Sequence, residues 1–375
     1  MYAMALLQGM VFYGPVATLY RQAAGVSIFE ITLIESISMA LTIFLELPWG
    51  VVADKIGYKR TMVFCSLLYL VSKVVFWQAT GFGGFLAERI MLRMVIAGLS
   101  GVEVSILYGS VEPEKAQGVF GVYNNCLTTG LIAAATLYSL FIKGNYALAG
   151  FLTVVSYGAA AILSFALKEV KPAQEKRAAV SDFKECFLAA LENKRLIFLL
   201  IGVALLNETH QTITVFLNQP QYVRCGIPVD MMGYIYAAVT LAGLLGGFSL
   251  RLTKKIGEKV FGRMLFITAA GCCLLMAFSS NALAAVGSIL LLRIAFSLFQ
   301  PLQMQIQNRE VKSPNRATAL SLNAVLMDGV AVVTNLGFGA LAEVNLSLSM
   351  LMGAALCLCG LALFSLWGKS LPAKA

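Results

Sequence analysis

The feature that most constrains this chain is a series of twelve long apolar segments separated by short polar turns. They lie at residues 3–21, 30–50, 61–79, 84–108, 118–140, 147–167, 196–217, 231–250, 262–279, 283–306, 318–340 and 347–367. A hydrocarbon core about 30 Å thick needs about 20 apolar residues per helix, and each segment supplies roughly that number. The runs are continuous rather than alternating, which excludes membrane β-strands. The sequence therefore predicts an all-α polytopic membrane protein with twelve transmembrane helices.

Composition agrees with a chain immersed in lipid. Of the 375 residues, 59% are hydrophobic and 13% are charged, and the mean hydropathy is +0.81. Soluble globular proteins carry about 25% charged residues, so these values exclude a soluble enzyme. The net charge of +9 is not concentrated on a solvated domain, so we expect no nucleic-acid partner. The eight cysteines lack the spacing of metal ligands, and we expect neither a metal nor a cofactor.

Basic residues fall mainly on one side of the predicted membrane. Of 28 lysines and arginines, 21 lie in the loops after the even-numbered segments, in the polar stretch after the sixth segment or at the C-terminus. The opposite loops contain little beyond Arg21, Lys143 and Arg224. Because cytoplasmic loops are enriched in lysine and arginine, we expect a multi-pass protein of the cell membrane, plasma or inner, with both termini cytoplasmic.

The two halves of the chain repeat each other on either side of one long polar stretch. Lys55–Gly57 recurs as Lys255–Gly257, and Arg93 recurs as Arg293, each about 200 residues later. We predict an N-terminal six-helix bundle at 1–168 and a cytoplasmic linker with an amphipathic segment at 169–195. The remainder, 196–375, is predicted to form a second, pseudo-symmetric six-helix bundle with a short cytoplasmic tail.

A glycine-rich basic turn joins the second and third segments. Its key residues are Gly50, Asp54, Lys55, Gly57, Lys59 and Arg60. Glycine permits a tight turn, and the basic residues hold the loop in the cytoplasm. The spacing matches every position of motif A of the major facilitator superfamily, so the chain resembles that family. In the second half the copy is degraded, with Lys254 in place of Asp54 and Leu250 in place of Gly50.

The resemblance implies two six-helix bundles, a central cavity and transport by alternating access. It also implies that the motif A residues act as a conformational latch on the cytoplasmic side. We expect a secondary transporter that works as a monomer in the lipid bilayer. No nucleotide-binding GxxxxGK[ST] pattern is present, so direct ATP coupling in this chain is excluded.

Charged residues inside the predicted spans are costly, by about 2.5–3.5 kcal/mol each on insertion scales, and therefore need partners or a role. They are Glu35, Lys73, Arg89, Arg93, Glu103, Glu208, Arg293 and Asp328. Glu35 and Lys73 lie at similar distances from the outer helix ends, from the helical rise per residue. We predict that these two residues form an ion pair, for stability of the bundle or for coupling.

Polar residues of the seventh span, Asn207–Thr212, occupy more than one helical turn and predict a watery cavity near the midplane. The candidates for proton coupling are Glu208, Asp328, Glu103 and Glu35. The candidates for lining the substrate cavity are Asn207, His210, Gln211, Tyr123, Asn124, Arg93, Arg293, Gln300 and Gln303. Burial disfavours a charged carboxylate, which makes Glu208 a candidate proton carrier; a packing role for Glu208 or His210 stays open.

The predicted function is proton-coupled efflux of an amphipathic or drug-like compound, that is, an antiporter. A proton symporter or uniporter for uptake of a polar metabolite is the alternative. The fifth span lacks the glycine–proline motif of proton-coupled drug antiporters, which weakens the first reading. A membrane-embedded enzyme or a non-transporting receptor is the rival from another class, but the spans contain no convincing nucleophile–base pair, and we expect no catalysis.

Overall fold

The computed structural model describes residues 1–99, 101–112, 115–169, 193–311 and 316–369, without the side chains of 43–55 and 316–318. In these ranges the regular structure is helical and contains no strand, which confirms the all-α prediction. Eleven helical runs are long and apolar enough to cross a membrane within the described residues. The remaining predicted span, 30–50, lies within an unbroken 29-residue helix. We number the spans 1 to 12 in chain order.

The first six spans are built from the following helices. Span 1 contains Tyr2–Gly9, the 3₁₀ turn Gly14–Val16 and Ala17–Ala23; span 2 is Ile28–Ile56; span 3 is Tyr58–Gln78; span 4 contains Gly81–Leu99 and Val102–Gly109; span 5 contains Ala116–Leu137 and the π-helical turn Tyr138–Ile142; span 6 is Tyr146–Ser164.

The last six spans follow the described end of the central polar stretch. Span 7 contains Lys194–Thr212, the π-helical turn Ile213–Leu217 and Asn218–Arg224; span 8 contains Val229–Met231, Met232–Ala242, Gly243–Phe248 and Ser249–Ile256; span 9 is Glu258–Phe278; span 10 is Ala282–Glu310; span 11 is Arg316–Val344; span 12 is Leu346–Lys369.

The sequence repeat corresponds to a repeated backbone turn. Gly57 and Gly257 have φ angles of +95° and +87°, and each separates one span from the next. A side chain is strained at such angles, so glycine ends the first helix there and lets the next begin at once. Asparagine side chains cap other spans: Asn145 accepts a hydrogen bond from the Leu148 amide at 3.0 Å.

Span 1 is interrupted around Gly14 and Pro15, because proline cannot donate a helical hydrogen bond. Backbone groups beside such a break need other partners within a membrane. Span 6 supplies them. Thr153 Oγ1 accepts from the Phe12 amide at 3.0 Å, and the Tyr157 hydroxyl donates to the Gln8 carbonyl at 2.7 Å. The break is therefore a stably packed part of the fold.

Spans 1 and 5 cross with their backbones in close contact. A Cβ atom built on Gly130 would overlap the Leu6 carbonyl oxygen of span 1, and one built on Gly9 would overlap the Leu127 carbonyl oxygen of span 5. Real Cβ atoms essentially never approach so closely to backbone atoms, so both positions need glycine. This small-residue crossing is typical of helix pairs in membranes.

The chain divides into two compact units. The N-terminal unit groups Met1–Glu175 with Ile227–Thr240, and the C-terminal unit groups Lys176–Gly226 with Leu241–Ala375. The N-terminal unit has Phe76 and Phe85 in its interior, and the C-terminal unit has Phe266 and Phe364 in its own. The bundle and linker boundaries expected from sequence stay a prediction.

Large apolar side chains cover the outside of both units. Phe278 is 79% exposed, Leu283 84% and Phe141 74%. Many exposed side chains of this kind are incompatible with a surface that faces only water. They are what a surface in contact with lipid requires.

Candidate functional site

The N-terminal unit contains a cavity of about 290 Å³. Its lining residues come from spans 1, 3, 4, 5 and 6 and are Gln8, Tyr69, Ile96, Leu99, Glu103, Tyr123, Asn124, Leu127 and Tyr157. Three residues of this lining were expected from the sequence, namely Glu103, Tyr123 and Asn124. The structure brings these three together, since the Tyr123 hydroxyl and the Glu103 carboxylate form a hydrogen bond.

One wall of this cavity is aromatic. The rings of Tyr69 and Tyr157 pack edge to face, with centroids 5.0 Å apart and planes at 71°. The hydrogen bond from Tyr157 to the Gln8 carbonyl fixes this ring against the broken part of span 1. The cavity lining also contains three purely apolar side chains, those of Ile96, Leu99 and Leu127. The cavity therefore offers ring faces, apolar surface and hydrogen-bonding groups to one small molecule.

Lys73 is a neighbour of this aromatic wall, with its Nζ atom 5.4 and 5.2 Å from the ring centroids of Tyr69 and Tyr157. Its ammonium donates a hydrogen bond to the Tyr13 hydroxyl at 3.1 Å and lies 3.7 Å from a Glu88 carboxylate oxygen. Arg21 approaches the same carboxylate at 3.9 Å. The predicted Glu35–Lys73 ion pair is therefore wrong: Lys73 pairs with Glu88, which approaches it from span 4.

Glu35 binds two other cations instead. Its two carboxylate oxygens accept hydrogen bonds from Arg89 and Arg93, both on span 4 and four residues apart on one helix face. Arg93 also donates to the Ser38 hydroxyl at 3.3 Å. The carboxylate is 3% exposed, so this ion triad is a buried link between spans 2 and 4. Arg93 is absent from the lining of the cavity.

The C-terminal unit contains a second buried acid. Thr212 donates a hydrogen bond to the Glu208 carboxylate at 2.8 Å, and its hydroxyl lies 3.3 Å from the Asn335 amide oxygen. Glu208 and Thr212 lie on one helix face, because residues four apart are separated by about one helical turn. Asn335 is fully buried on span 11 and had not been singled out from the sequence.

His210 is a buried neighbour of this acid on span 7. Its ring stacks on Phe296 with centroids 3.8 Å apart and planes at 5°. The next turn is tied to it, because the Thr214 hydroxyl donates to the His210 carbonyl at 2.8 Å. Because the imidazole packs closely against an aromatic ring, His210 is held in one position inside the unit and is not a free surface histidine.

The other residues predicted for the C-terminal unit differ in exposure. Gln303 is buried, Asn207, Arg293 and Asp328 are half-buried, and Gln211 and Gln300 are exposed. Arg293 lies against Gly243 of span 8, where a Cβ atom would come within 2.7 Å of its guanidinium. Glycine at that position makes room for the guanidinium.

The described part of motif A forms the joint between spans 2 and 3. The Lys59 amide donates a hydrogen bond to the Glu169 carboxylate at 3.2 Å, at the N-terminus of span 3 where negative charge is favoured. Gly57 supplies the turn, Lys59 is half-buried and Arg60 is exposed. The side chains of Gly50, Asp54 and Lys55 lie outside the described residues.

Residues 1–335 match the family profile of the Major Facilitator Superfamily. The chain belongs to that superfamily. An alignment over 350 residues with an uncharacterized MFS-type transporter of Methanocaldococcus jannaschii has 23% identity and covers 90% of this chain and 88% of that protein. The family resemblance that motif A indicated is thereby confirmed.

Solved structures of superfamily transporters have the same fold. The nucleoside transporter NupG superposes with a TM-score of 0.84 at 16% identity, over 99% of this chain and 98% of that one. A bacterial homolog of the human lysosomal transporter Spinster gives 0.74 at 16% identity, over all of this chain and 97% of that one. The predicted twelve-helix fold of two six-helix bundles is confirmed, and the chain is a multi-pass membrane protein of a transporter family.

Several residues of these sites escaped the sequence reasoning. Glu88 and Arg21 lie near span ends, where a charge is usually solvated, yet both are buried in the fold. Tyr69, Tyr157 and Gln8 read as ordinary membrane residues among apolar neighbours. These residues share one feature, a polar group on a helix face that is buried in the fold. They could be recognised only once it is known which face of each helix is buried. Among the described residues, no cluster of three His, Cys, Asp or Glu has the arrangement of a metal site.

Proposed function

We propose that this superfamily member is a proton-coupled secondary transporter that exports a small amphipathic, ring-bearing molecule by alternating access. The main support for the proposal is that the lining of the N-terminal cavity combines polar and apolar side chains. Glu103, Asn124 and Gln8 supply hydrogen-bonding groups, whereas Ile96 and Leu99 supply apolar surface. Small-molecule sites are largely apolar with a few polar groups that fix orientation.

Glu103 and Glu208 are the acids best placed to couple transport to protons. Glu103 lines the cavity and shares a hydrogen bond with Tyr123, so protonation there changes the lining that a substrate meets. Glu208 is buried beside Thr212, where a neutral carboxyl costs less than a carboxylate. Asp328 is half-buried and remains a third candidate. Glu35 ranks last, because two guanidinium groups favour its charged form.

The direction and orientation of transport are part of the proposal. The charge distribution favours cytoplasmic termini in the cell membrane, with motif A as a latch on that side. Export is favoured because the cavity has more apolar than polar lining, as suits a compound that enters lipid by itself. Asn207, His210, Gln211, Arg93, Arg293, Gln300 and Gln303 remain further candidates for contact with substrate at some stage of the cycle.

Uptake of a polar metabolite by symport or uniport is the second candidate. Tyrosine rings and two side-chain amides in one cavity also suit a ring that carries hydroxyl or amide groups. NupG, which has the same fold, is a nucleoside transporter. A nucleoside is therefore the natural probe for this alternative.

The deciding experiment measures proton movement in proteoliposomes that contain a pH-sensitive dye. Chloramphenicol serves as an uncharged amphipathic ring compound and uridine as the polar one. We expect one of them to drive proton flux through the wild-type protein. Glu103→Gln and Glu208→Gln should abolish the flux while leaving insertion intact, because neither amide takes up a proton at working pH.

Glu112→Gln is the matched control, since Glu112 is a 72% exposed carboxylate in a surface pair with Lys115. It should retain the wild-type flux. Flux that survives in both test variants would remove these two acids from the coupling step and leave Asp328. Probe movement without proton flux would contradict proton coupling and favour a uniporter.

A further inference from the structure

Two cations of span 9 reach the end of span 12. Lys259 and Arg263 are four residues apart and share one face of the helix Glu258–Phe278. The Lys259 ammonium donates a hydrogen bond to the Gly368 carbonyl at 2.6 Å. A Cβ atom built on Gly368 would lie 3.5 Å from the Lys259 Cδ atom and 3.8 Å from the Arg263 Nη2 atom, so both side chains contact the last turn of span 12. Both are half-buried parts of the C-terminal unit.

Within the described residues, these two cations have no carboxylate partner, although neighbouring cations at the same end of the unit do. Arg195 pairs with Glu310 at 3.0 Å, and Arg309 pairs with Glu258 at 2.8 Å. The Arg263 Nε atom is buried and has no hydrogen-bond partner in the described part of the chain. A half-buried guanidinium without an anion is unfavourable, so the pair favours a bound negative group.

The adjoining face of span 9 is apolar and exposed. Val260, Met264 and Ile267 are spaced by four and three residues and therefore form one stripe, and each is about half exposed. The stripe begins beside the cationic pair and extends about 10 Å along the span, from the helical rise per residue. On a surface in contact with lipid, such a stripe faces acyl chains. A cationic pair at the end of a span, followed by an apolar stripe, matches the headgroup and the chain of a phospholipid.

We propose that Lys259 and Arg263 bind the headgroup phosphate of an anionic phospholipid. Its acyl chain lies along the stripe of Val260, Met264 and Ile267. The guanidinium forms paired hydrogen bonds to phosphate oxygens, and the ammonium adds a point charge. A zwitterionic lipid carries a cation of its own, so two positive side chains favour an anionic headgroup. The proposal goes beyond the transport function and depends neither on the N-terminal cavity nor on the coupling ion.

The test is native mass spectrometry of the full-length protein in detergent, titrated separately with dioleoyl phosphatidylglycerol and dioleoyl phosphatidylcholine. Ammonium acetate at about 0.15 M screens attraction between separated charges. We expect the wild type to bind phosphatidylglycerol more tightly than phosphatidylcholine. Lys259→Gln with Arg263→Gln should weaken phosphatidylglycerol binding about tenfold and leave phosphatidylcholine binding unchanged. Lys254→Gln with Lys255→Gln removes two exposed positive charges of the same unit and should keep the wild-type preference.

Two further measurements protect the test against misfolding and against a different ligand. Arg263→Gln alone breaks no hydrogen bond within the described residues, and it should still lose part of the preference if the double variant is unstable. Inorganic phosphate in excess should leave phosphatidylglycerol bound, because it has no chain to contact the stripe. Displacement by inorganic phosphate would assign the site to a soluble anion and overturn the proposal. Equal losses in the two double variants, or equal wild-type affinity for the two lipids, would overturn it as well.

Discussion

Glu35 and Glu88, two buried carboxylates of the N-terminal unit, each lie between two cations. Arg89 and Arg93 bind the first, and Lys73 and Arg21 approach the second. A buried charge is costly to desolvate, so removing one member leaves its partners uncompensated. The carboxylates are therefore more important to stability than any exposed ion pair of the same unit.

Glu35→Gln should destabilise the protein by about 3–5 kcal/mol, because two guanidinium groups lose their shared anion in a dry interior. The measurement is the thermal unfolding midpoint in detergent. Glu112→Gln breaks a pair whose side chains are 71% and 72% exposed and should change the midpoint little. Equal midpoints for the two variants would show that the buried Glu35 triad contributes no more to stability than the exposed Glu112–Lys115 pair.

The sequence predicted which charges are buried better than it predicted their partners. Depth in a span follows from the rise per residue, and on that basis Glu35 and Lys73 were paired. Which residues pair depends also on how each helix is rotated about its own axis. The depth of a residue in the membrane gives no information on that rotation. The structure turns Glu35 toward span 4 and Lys73 toward Glu88 and the Tyr13 hydroxyl. Glu103 and Tyr123 were named separately from the sequence, and the structure joins them by a hydrogen bond between spans 4 and 5.

At the scale of whole helices, hydropathy predicts the spans and glycine predicts their closest contacts. Long apolar runs leave few alternatives to helix in a membrane, so the spans were found with nearly correct limits. The π-helical turns at Tyr138–Ile142 and Ile213–Leu217 were not foreseen, because they change the hydrogen-bond register without changing composition. The interruption of span 1 has a direct cause in the sequence, because Pro15 has no backbone amide hydrogen to donate.

The crossing of spans 1 and 5 provides a test at this scale. Gly130→Leu should lower the unfolding midpoint and the yield of folded protein, since a Cβ atom there meets the Gly9 backbone at 3.0 Å. Overpacking of this kind costs about 1–3 kcal/mol or more. Gly121→Leu, on the same helix, is the control, because nothing lies within 4 Å of its Cβ position. A Gly130→Leu protein as stable as Gly121→Leu would show that the two helices separate at little cost.

For the molecule as a whole, membership of the superfamily establishes the fold, while orientation in the membrane depends on charge. Positive residues near span ends resist translocation, and the loops on the side of Lys59 hold far more of them than the loop at Lys143. The repeated Lys55–Gly57 and Lys255–Gly257 turns place basic residues on the same side in both halves. This agreement between halves makes orientation a property of the whole chain and not of one loop.

Reporter fusions test that orientation. Alkaline phosphatase needs disulfides and is therefore active only outside the cytoplasm. A fusion after Gly144 should be active, and fusions after Leu167 and after Lys369 should be inactive. Green fluorescent protein at Lys369 should fluoresce, which controls for expression. Replacing Lys59 and Arg60 by glutamine should leave the orientation unchanged, because the other loops on the same side of the chain keep their basic residues. An active phosphatase after Lys369 would reverse the orientation, and motif A would then lie on the outer face of the membrane.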